Sequence, residues 1–294
     1  MLILKSNKVV KMIQFGTGGN PQEFYDAGYK KSEQMPEFLA QKGLQAYEYE
    51  CSRGVRISDG KTQLLNEAAQ QYGISLSVHA PYYISLSTTD PVKQQKTIQY
   101  ITDTMTVAQK MGADRIVVHA GALLGLEREE AVQNACHLLA KAIQVADDMG
   151  LGDITICPET MGKINQLGNS QEIIQMCKLD KRLIPTIDFG HLYCRNLGHP
   201  FTTEEWMQEL QLYIDGLGQE RMRNFHAHFS KMEYTQKGGE KAHVTFEEKT
   251  CGPDFSMVAK ALKKLQLEPR IICESAGTQA IDAVIMQNIY MNLR

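Results

Sequence analysis

Short β-type runs alternate with longer helical patterns along this chain. Eight runs are predicted as strands: residues 10–15, 45–50, 74–79, 115–119, 154–159, 183–188, 224–229 and 270–274. Several are rich in β-branched residues, which is typical of strands buried on both faces of a parallel sheet. Helical periodicity is found at residues 61–72, 91–111, 127–149, 171–177, 203–213 and 255–265. The pattern therefore predicts an α/β protein.

Eight strands that alternate with helices suit a closed (β/α)8, or TIM, barrel, which takes about 250 residues. The chain has 294 residues and no internal linker or low-complexity tract, so a single domain over residues 1–294 is predicted. A doubly wound open sheet is the competing architecture. The glycine-rich residues 16–21 are predicted to form a tight loop after the first strand, and residues 234–241 a mobile loop after the seventh.

Histidines and carboxylates stand at the ends of the predicted strands: His79, His119, Glu159, Asp188, His226 and Glu274. The carboxyl ends of barrel strands meet at one mouth, where active sites of this fold are built. Burying so many polar groups without a shared partner would cost several kcal/mol each, and a metal cluster would provide that partner. Imidazole and carboxylate ligands suit Zn²⁺, and also Mn²⁺ or Fe²⁺. His191 follows Asp188 by three residues and is a candidate ligand for a further ion.

Composition narrows the protein class only slightly. Many nucleic-acid binders are strongly basic, whereas this chain has a formal net charge of −3. This charge neither supports nor excludes nucleic acid as a partner. The seven cysteines are odd in number and form no C-x-x-C pair, which argues against a disulfide framework or a zinc ribbon. Neither a signal peptide nor a membrane-spanning run is evident. We therefore expect a cytoplasmic protein without a membrane partner or an organic cofactor.

Taken in order, short motifs from Gly16 to Glu274 resemble those of the endonuclease IV family (AP endonuclease family 2). This family comprises zinc-dependent apurinic/apyrimidinic endonucleases with a xylose isomerase-like barrel. The matching segments are SVHAPY at His79, VVHAG at His119, PET at Glu159, DFGH at Asp188 and His191, HAHFSK at His226, and CES at Glu274.

The resemblance implies two or three zinc ions and hydrolysis of double-stranded DNA on the 5′ side of an abasic site. The implied ligands are His79, His119 and Glu159 for one ion, Glu159, Asp188, His226 and Glu274 for a second, and His191 and His243 for a third. Glu159 and Glu274 are the expected catalytic residues. Tyr82, Tyr83 and Arg53 are candidate DNA contacts, because the family flips the damaged nucleotide out of the stack and fills the gap with side chains.

The sequence departs from the family pattern at two places. Lys241 stands where the family has an aspartate two residues before His243, and Glu240 is a possible substitute ligand if the loop is reshaped. His228 lies two residues after His226 and faces the same side of the strand, so either could be the ligand. The family motif favours His226.

A sugar isomerase or epimerase on the same barrel is the main alternative. Such an enzyme would use Glu159, Asp188, His226 and Glu274 around one divalent ion. The additional histidines favour the nuclease. A metal-binding barrel without catalytic activity is a third possibility.

Overall fold

The computed structural model describes residues 12–293, and within them eight parallel strands close into a barrel. The barrel strands are β1 (Gln14–Gly18), β2 (Ala46–Glu50), β3 (Ser75–His79), β4 (Arg115–His119), β5 (Thr155–Glu159), β6 (Thr186–Asp188), β7 (His226–Phe229) and β10 (Arg270–Cys273). Their order around the barrel is β1-β10-β7-β6-β5-β4-β3-β2, and β1 pairs with both β10 and β2. The closed ring confirms the predicted (β/α)8 barrel and excludes the open sheet.

Helices connect the strands and cover the outside of the barrel. They are α1 (Gln22–Asp26), α2 (Met35–Gln41), α3 (Asp59–Tyr72), α4 (Pro91–Met111), α5 (Arg128–Asp148), α6 (Ser170–Cys177), α7 (Phe189–Arg195), α8 (Thr203–Leu217), α9 (Gln219–Met222), α10 (Phe255–Lys264) and α11 (Gln279–Asn292). The six predicted helices are present, with ends shifted by four residues or fewer. The prediction missed α1, α2, α7 and α9, which have only four to seven residues and hence no clear period. It also missed α11, which has 14 residues.

The glycine-rich segment is partly strand, so its prediction as a loop was wrong for residues 16–18 and right for residues 19–21. Residues 16–18 belong to β1, which begins and ends later than predicted. A Cβ atom at Gly16 would lie 1.9 Å from the carbonyl oxygen of Ala46 on the neighbouring strand. Glycine is therefore required there for close approach of the two backbones. Residues 10 and 11 of the predicted strand lie outside the described residues.

Residues 234–241, predicted as a mobile loop, instead belong to an antiparallel hairpin of β8 (Lys231–Thr235) and β9 (Gly239–Val244). The hairpin lies against the loop after β5, since the Glu240 amide donates to the Gly162 carbonyl at 3.2 Å and the Ile164 amide to that of Gly238 at 3.2 Å. It thus extends the barrel at the carboxyl ends of the strands.

An ion-pair network lies at the opposite end of the barrel. Arg270 donates to Asp114 at 2.8 Å and to the Leu76 carbonyl at 2.9 Å, and Arg115 donates to Asp114 at 3.2 Å. A cavity of about 630 Å³ is found at this end. The seven cysteines all lie within the described residues and are unpaired, as predicted. Between residues 12 and 293, no helix is both long and apolar enough to cross a membrane.

Candidate metal centre

The carboxyl ends of the barrel strands surround a cavity of about 530 Å³. Its lining includes most of the predicted ligands: His79, His119, Glu159, His191, Glu240, His243 and Glu274. Glu159 and Asp188 are the last residues of β5 and β6, and His79 and His119 those of β3 and β4. Parallel strands of matched length thus bring together side chains that are 40 residues apart in sequence.

Glu159 stands between two pairs of histidines. Its Oε2 atom lies 3.4 Å from His79 Nε2 and 3.1 Å from His119 Nε2. Its Oε1 atom lies 3.0 Å from His228 Nδ1 and 3.5 Å from His191 Nδ1. Burial alone would raise the pKa of Glu159, but the imidazoles around it, His228 and His119 foremost, hold that pKa well below its ordinary value. The carboxylate therefore presents one oxygen to each of two separate histidine sets.

Asp188, His228 and Glu274 form a group with Glu159 in which all the ligand atoms lie within 4.8 Å of one another. Asp188 also accepts from the His191 amide at 2.8 Å through Oδ1, which caps the N-terminus of α7 and fixes the carboxylate. Burial raises the pKa of Glu274 to about 8, and the nearby Glu159 and Asp188 carboxylates act in the same direction, against the lowering effect of His228. A bound cation would favour the charged form of these carboxylates.

The structure favours His228 over His226 as the histidine of this group. His228 pairs in register with Asp188 at the end of β6, and its Nδ1 atom lies 3.4 Å from Glu274 Oε1. His226 pairs with Thr186 and lies deeper in the barrel, where burial lowers its pKa to about 4. Both histidines face inward, as their spacing predicts, but only His228 contacts Glu159.

A third group consists of His191, Glu240 and His243, again with ligand atoms within 4.8 Å of one another. Glu240 and His243 are three positions apart, and regular alternation along β9 would put them on opposite faces. The pairing of β8 with β9 skips Lys241: Glu233 pairs with Ala242, and Tyr234 pairs with Glu240. This one-residue bulge restores a common face for the two side chains. Lys241 is 58% exposed and pairs with Glu233 at 2.6 Å, so its charge is directed away from the group.

Hydrogen bonds to Nδ1 orient three of the histidines. His79 Nδ1 lies 2.8 Å from the Ala80 carbonyl, and His191 Nδ1 lies 2.8 Å from that of Thr160. His243 Nδ1 lies 2.8 Å from Ser230 Oγ. Each ring is thereby held with Nε2 free to bind an ion, in the manner of metal-ligating histidines.

Two glutamates of β2 also belong to the site and were missed in the sequence. Glu48 contacts His226 and His228, and Glu50 lines the mouth. The strand sequence AYEYE contains the signal, because glutamates at alternate positions of a buried strand must both face the barrel interior. Burial raises the pKa of Glu50.

The candidate DNA contacts lie on adjacent loops beside the mouth. Tyr82 is 55% exposed, and its ring stands 5.6 Å from the His79 ring and 5.2 Å from the His119 ring. Its amide donates to the Ser52 carbonyl at 3.3 Å, which joins this loop to that of Arg53. Tyr83 is 57% exposed, and its ring lies 6.0 Å from that of Tyr100. Arg53 is exposed and does not line the cavity.

The site fits divalent cations. Within residues 12–293, Glu159 Oε2, Asp188 Oδ2 and Glu240 Oε2 are buried and have no hydrogen-bond partner. Leaving such atoms uncompensated is costly, and each of them belongs to one of the histidine–carboxylate sets described above. The buried clusters could therefore hold metal ions, and their mixed nitrogen and oxygen donors suit zinc, manganese or iron.

Fold and site together define a TIM barrel with a histidine–carboxylate centre at the carboxyl ends of its strands. Residues 36–288 match the model of AP endonuclease family 2, described as a xylose isomerase-like TIM barrel, and the chain belongs to this family. The match confirms the resemblance noted in the sequence.

Individual relatives differ in how much of the chain they match. An uncharacterized protein of Methanocaldococcus jannaschii is 29% identical over 96% of this chain and 98% of its own length. A probable endonuclease 4 of Acholeplasma laidlawii is 29% identical, but the match spans 60% of this chain and 61% of that protein. The chain thus aligns with about three fifths of that relative.

Among solved structures, a D-tagatose 3-epimerase-like protein superposes with a TM-score of 0.70 at 20% identity, covering 95% of this chain and 97% of that one. Endonuclease IV from Thermus thermophilus gives a TM-score of 0.64 at 15% identity, and the match covers 95% of this chain and 97% of that one. At these identities the two likenesses support the fold alone.

Proposed function

We propose that this protein is a zinc-dependent endonuclease that hydrolyses double-stranded DNA on the 5′ side of an abasic site. The observation that carries the proposal is the position of Glu159, whose two oxygens face two different pairs of histidines. A carboxylate so placed suits a bridge between two ions. A single-ion site of Glu159, Asp188, His228 and Glu274 would need neither the histidine pair at Oε2 nor the group on the hairpin. The name of the Acholeplasma laidlawii relative, probable endonuclease 4, adds support.

The ligand sets follow from the contacts. Glu159 Oε2 with His79 and His119 would hold one ion; Glu159 Oε1 with Asp188, His228 and Glu274 a second; His191, Glu240 and His243 a third. When bound, the ions would lower the pKa of a water and neutralise charge on the attacked phosphate. Mn²⁺ or Fe²⁺ could occupy the same ligands.

The protein's own groups would orient these ligands and the substrate. Carbonyl oxygens of Ala80 and Thr160 hold the His79 and His191 rings in place. Tyr82 offers an exposed aromatic face beside the first histidine pair and would fill the gap left by a flipped nucleotide. Arg53, on the neighbouring loop, would contact a backbone phosphate, and Tyr83 would extend the aromatic surface.

The proposal is tested by metal content and incision together. Protein purified without chelator is expected to contain two or three zinc ions per chain and to cut a duplex carrying one abasic site, leaving an intact duplex uncut. Glu159→Gln keeps the side-chain size but removes the bridging charge. Changes to groups that only orient metal ligands already lower metal affinity or activity about 10–100-fold. We therefore expect this change to a ligand itself to lower incision by more than about 100-fold.

Glu67→Gln, at an exposed position of α3, is the matched control and should retain activity. Wild-type incision by metal-replete Glu159→Gln protein would refute the role of Glu159.

A second function, a sugar isomerase or epimerase, is favoured by one observation. Glu159, Asp188, His228 and Glu274 form a compact group that would suffice for a single ion. In that case a carboxylate pair would move a proton beside a polarised carbonyl. One exchangeable ion per chain, no incision, and conversion of a ketose would support this function instead.

A further inference from the structure

Glu48 is a buried carboxylate in the middle of the barrel to which the proposed chemistry assigns no role. It is fully buried and stands between two imidazoles, with Oε1 2.8 Å from His228 Nε2 and Oε2 3.0 Å from His226 Nε2. In the barrel, β2 and β7 are separated by β1 and β10, so these contacts cross the interior. Burial alone would raise the pKa of Glu48, but His228 and His226 hold it well below its ordinary value.

The contact with Glu48 makes His228 different from the other histidines of the centre. His79, His191 and His243 use Nδ1 for hydrogen bonding within the protein. In His228 the arrangement is reversed: Nε2 faces Glu48, and Nδ1 faces Glu159 at 3.0 Å and Glu274 at 3.4 Å. No backbone carbonyl holds this ring among the hydrogen bonds of the described residues, so Glu48 is the group available to set its orientation.

We propose that Glu48 is a positioning residue that fixes His228 with its Nε2 as the donor and its Nδ1 lone pair directed at the ion held by Glu159, Asp188 and Glu274. The inference rests on the metal centre of the proposed function. A carboxylate that accepts from the distal nitrogen of a ligating histidine selects the tautomer and makes the ligand more basic. Glu48 thus has the chemistry and the position of such a partner, while the sequence alone shows only a glutamate in a strand.

The first test compares metal binding by wild-type protein and Glu48→Gln, which conserves size and removes the charge. Titration with Co²⁺, followed by its visible absorption, gives both the number of ions and their affinities. We expect the same number of ions at saturation, with one bound roughly 10–100-fold more weakly in the variant. Asp282→Asn is the control, because Asp282 is another buried carboxylate, bonded to Thr278 and the Phe246 amide away from the site. Its metal affinities should match those of the wild type.

Two results of the titration would overturn the proposal. Unchanged affinities in Glu48→Gln would show that the carboxylate does not orient His228. Loss of one ion even at saturation would make Glu48 a direct ligand instead. Failure of the proposed function is recognised separately, since it appears as an absence of DNA incision by wild-type protein that binds its ions. Wild-type protein that binds no ions would overturn both.

A second measurement needs no variant and so does not depend on the stability of Glu48→Gln. Long-range ¹H–¹⁵N correlation spectra of the zinc-loaded wild-type protein report the tautomer of each histidine. We expect His228 to carry its proton on Nε2, whereas His79 and His191 should carry theirs on Nδ1. A proton on Nδ1 of His228 would refute the proposal whatever the variant does.

Discussion

Gly162 controls how closely the β8–β9 hairpin approaches α7. Its replacement by alanine should selectively weaken metal binding by the third group, His191, Glu240 and His243. A Cβ atom there would lie 2.7 Å from Glu240 Cβ and 3.2 Å from His191 Cα. Non-bonded carbons are comfortable at about 3.5–4.0 Å, so the hairpin must retreat by about 1 Å. Metal–ligand distances tolerate about 0.2 Å. Glu240 would then no longer share an ion with His191 and His243, and overpacking should cost about 1–3 kcal/mol of folding stability.

The assay is elemental analysis after dialysis into metal-free buffer, together with thermal unfolding. Gly162→Ala is expected to retain one ion fewer than the wild type measured in parallel, with the Glu159 groups still occupied. Gly60→Ala is the control, since Gly60 lies in α3 with no atom within 4 Å of its Cβ position, and alanine should raise helix stability by up to about 1 kcal/mol. If Gly162→Ala kept every ion at wild-type affinity, the hairpin would not carry a ligand of a third site.

Two further predictions concern charged groups outside the ligand sets. Lys241→Ala should leave metal content unchanged, because the bulge directs this lysine to Glu233; a gain of an ion on elemental analysis would show that the lysine repels cations from the site. Burial alone would raise the pKa of Asp114, but Arg270 and Arg115 lower it. The stabilisation by Asp114 should therefore be present above about pH 4 and be lost as the pH falls below that value. The Asp114 side chain is 43% exposed, so Asp114→Asn should cost only about 1 kcal/mol at pH 7 in denaturant unfolding, a difference that shrinks in acid. A difference that grows in acid would refute this account.

The pattern of residue types along the sequence was sufficient to predict the barrel and most of the candidate site. Apolar runs that alternate with segments of helical periodicity predicted eight strands and six helices. Each pattern reflects which faces of an element are buried. His79, His119, Glu159 and Asp188 end their strands as predicted. Closure of a parallel barrel brings such strand ends to one mouth whatever the details of packing.

Other features depend on relations between elements that no single segment contains. The choice between His226 and His228 follows from the register of β7 against β6, which places His228 beside Asp188. The position of Glu240 beside His191 and His243 depends on a bulge that forms only when β9 pairs with β8.

The sequence by itself determined the fold class, the family, and a cluster of metal-competent side chains, since these follow from residue type and spacing along each strand. Tertiary structure alone decided which nitrogen or oxygen faces which neighbour. Glu48 and His228 are 180 residues apart and meet across the interior of the barrel. Such a contact arises from barrel closure and side-chain packing together, and neither is encoded in the pattern of one strand.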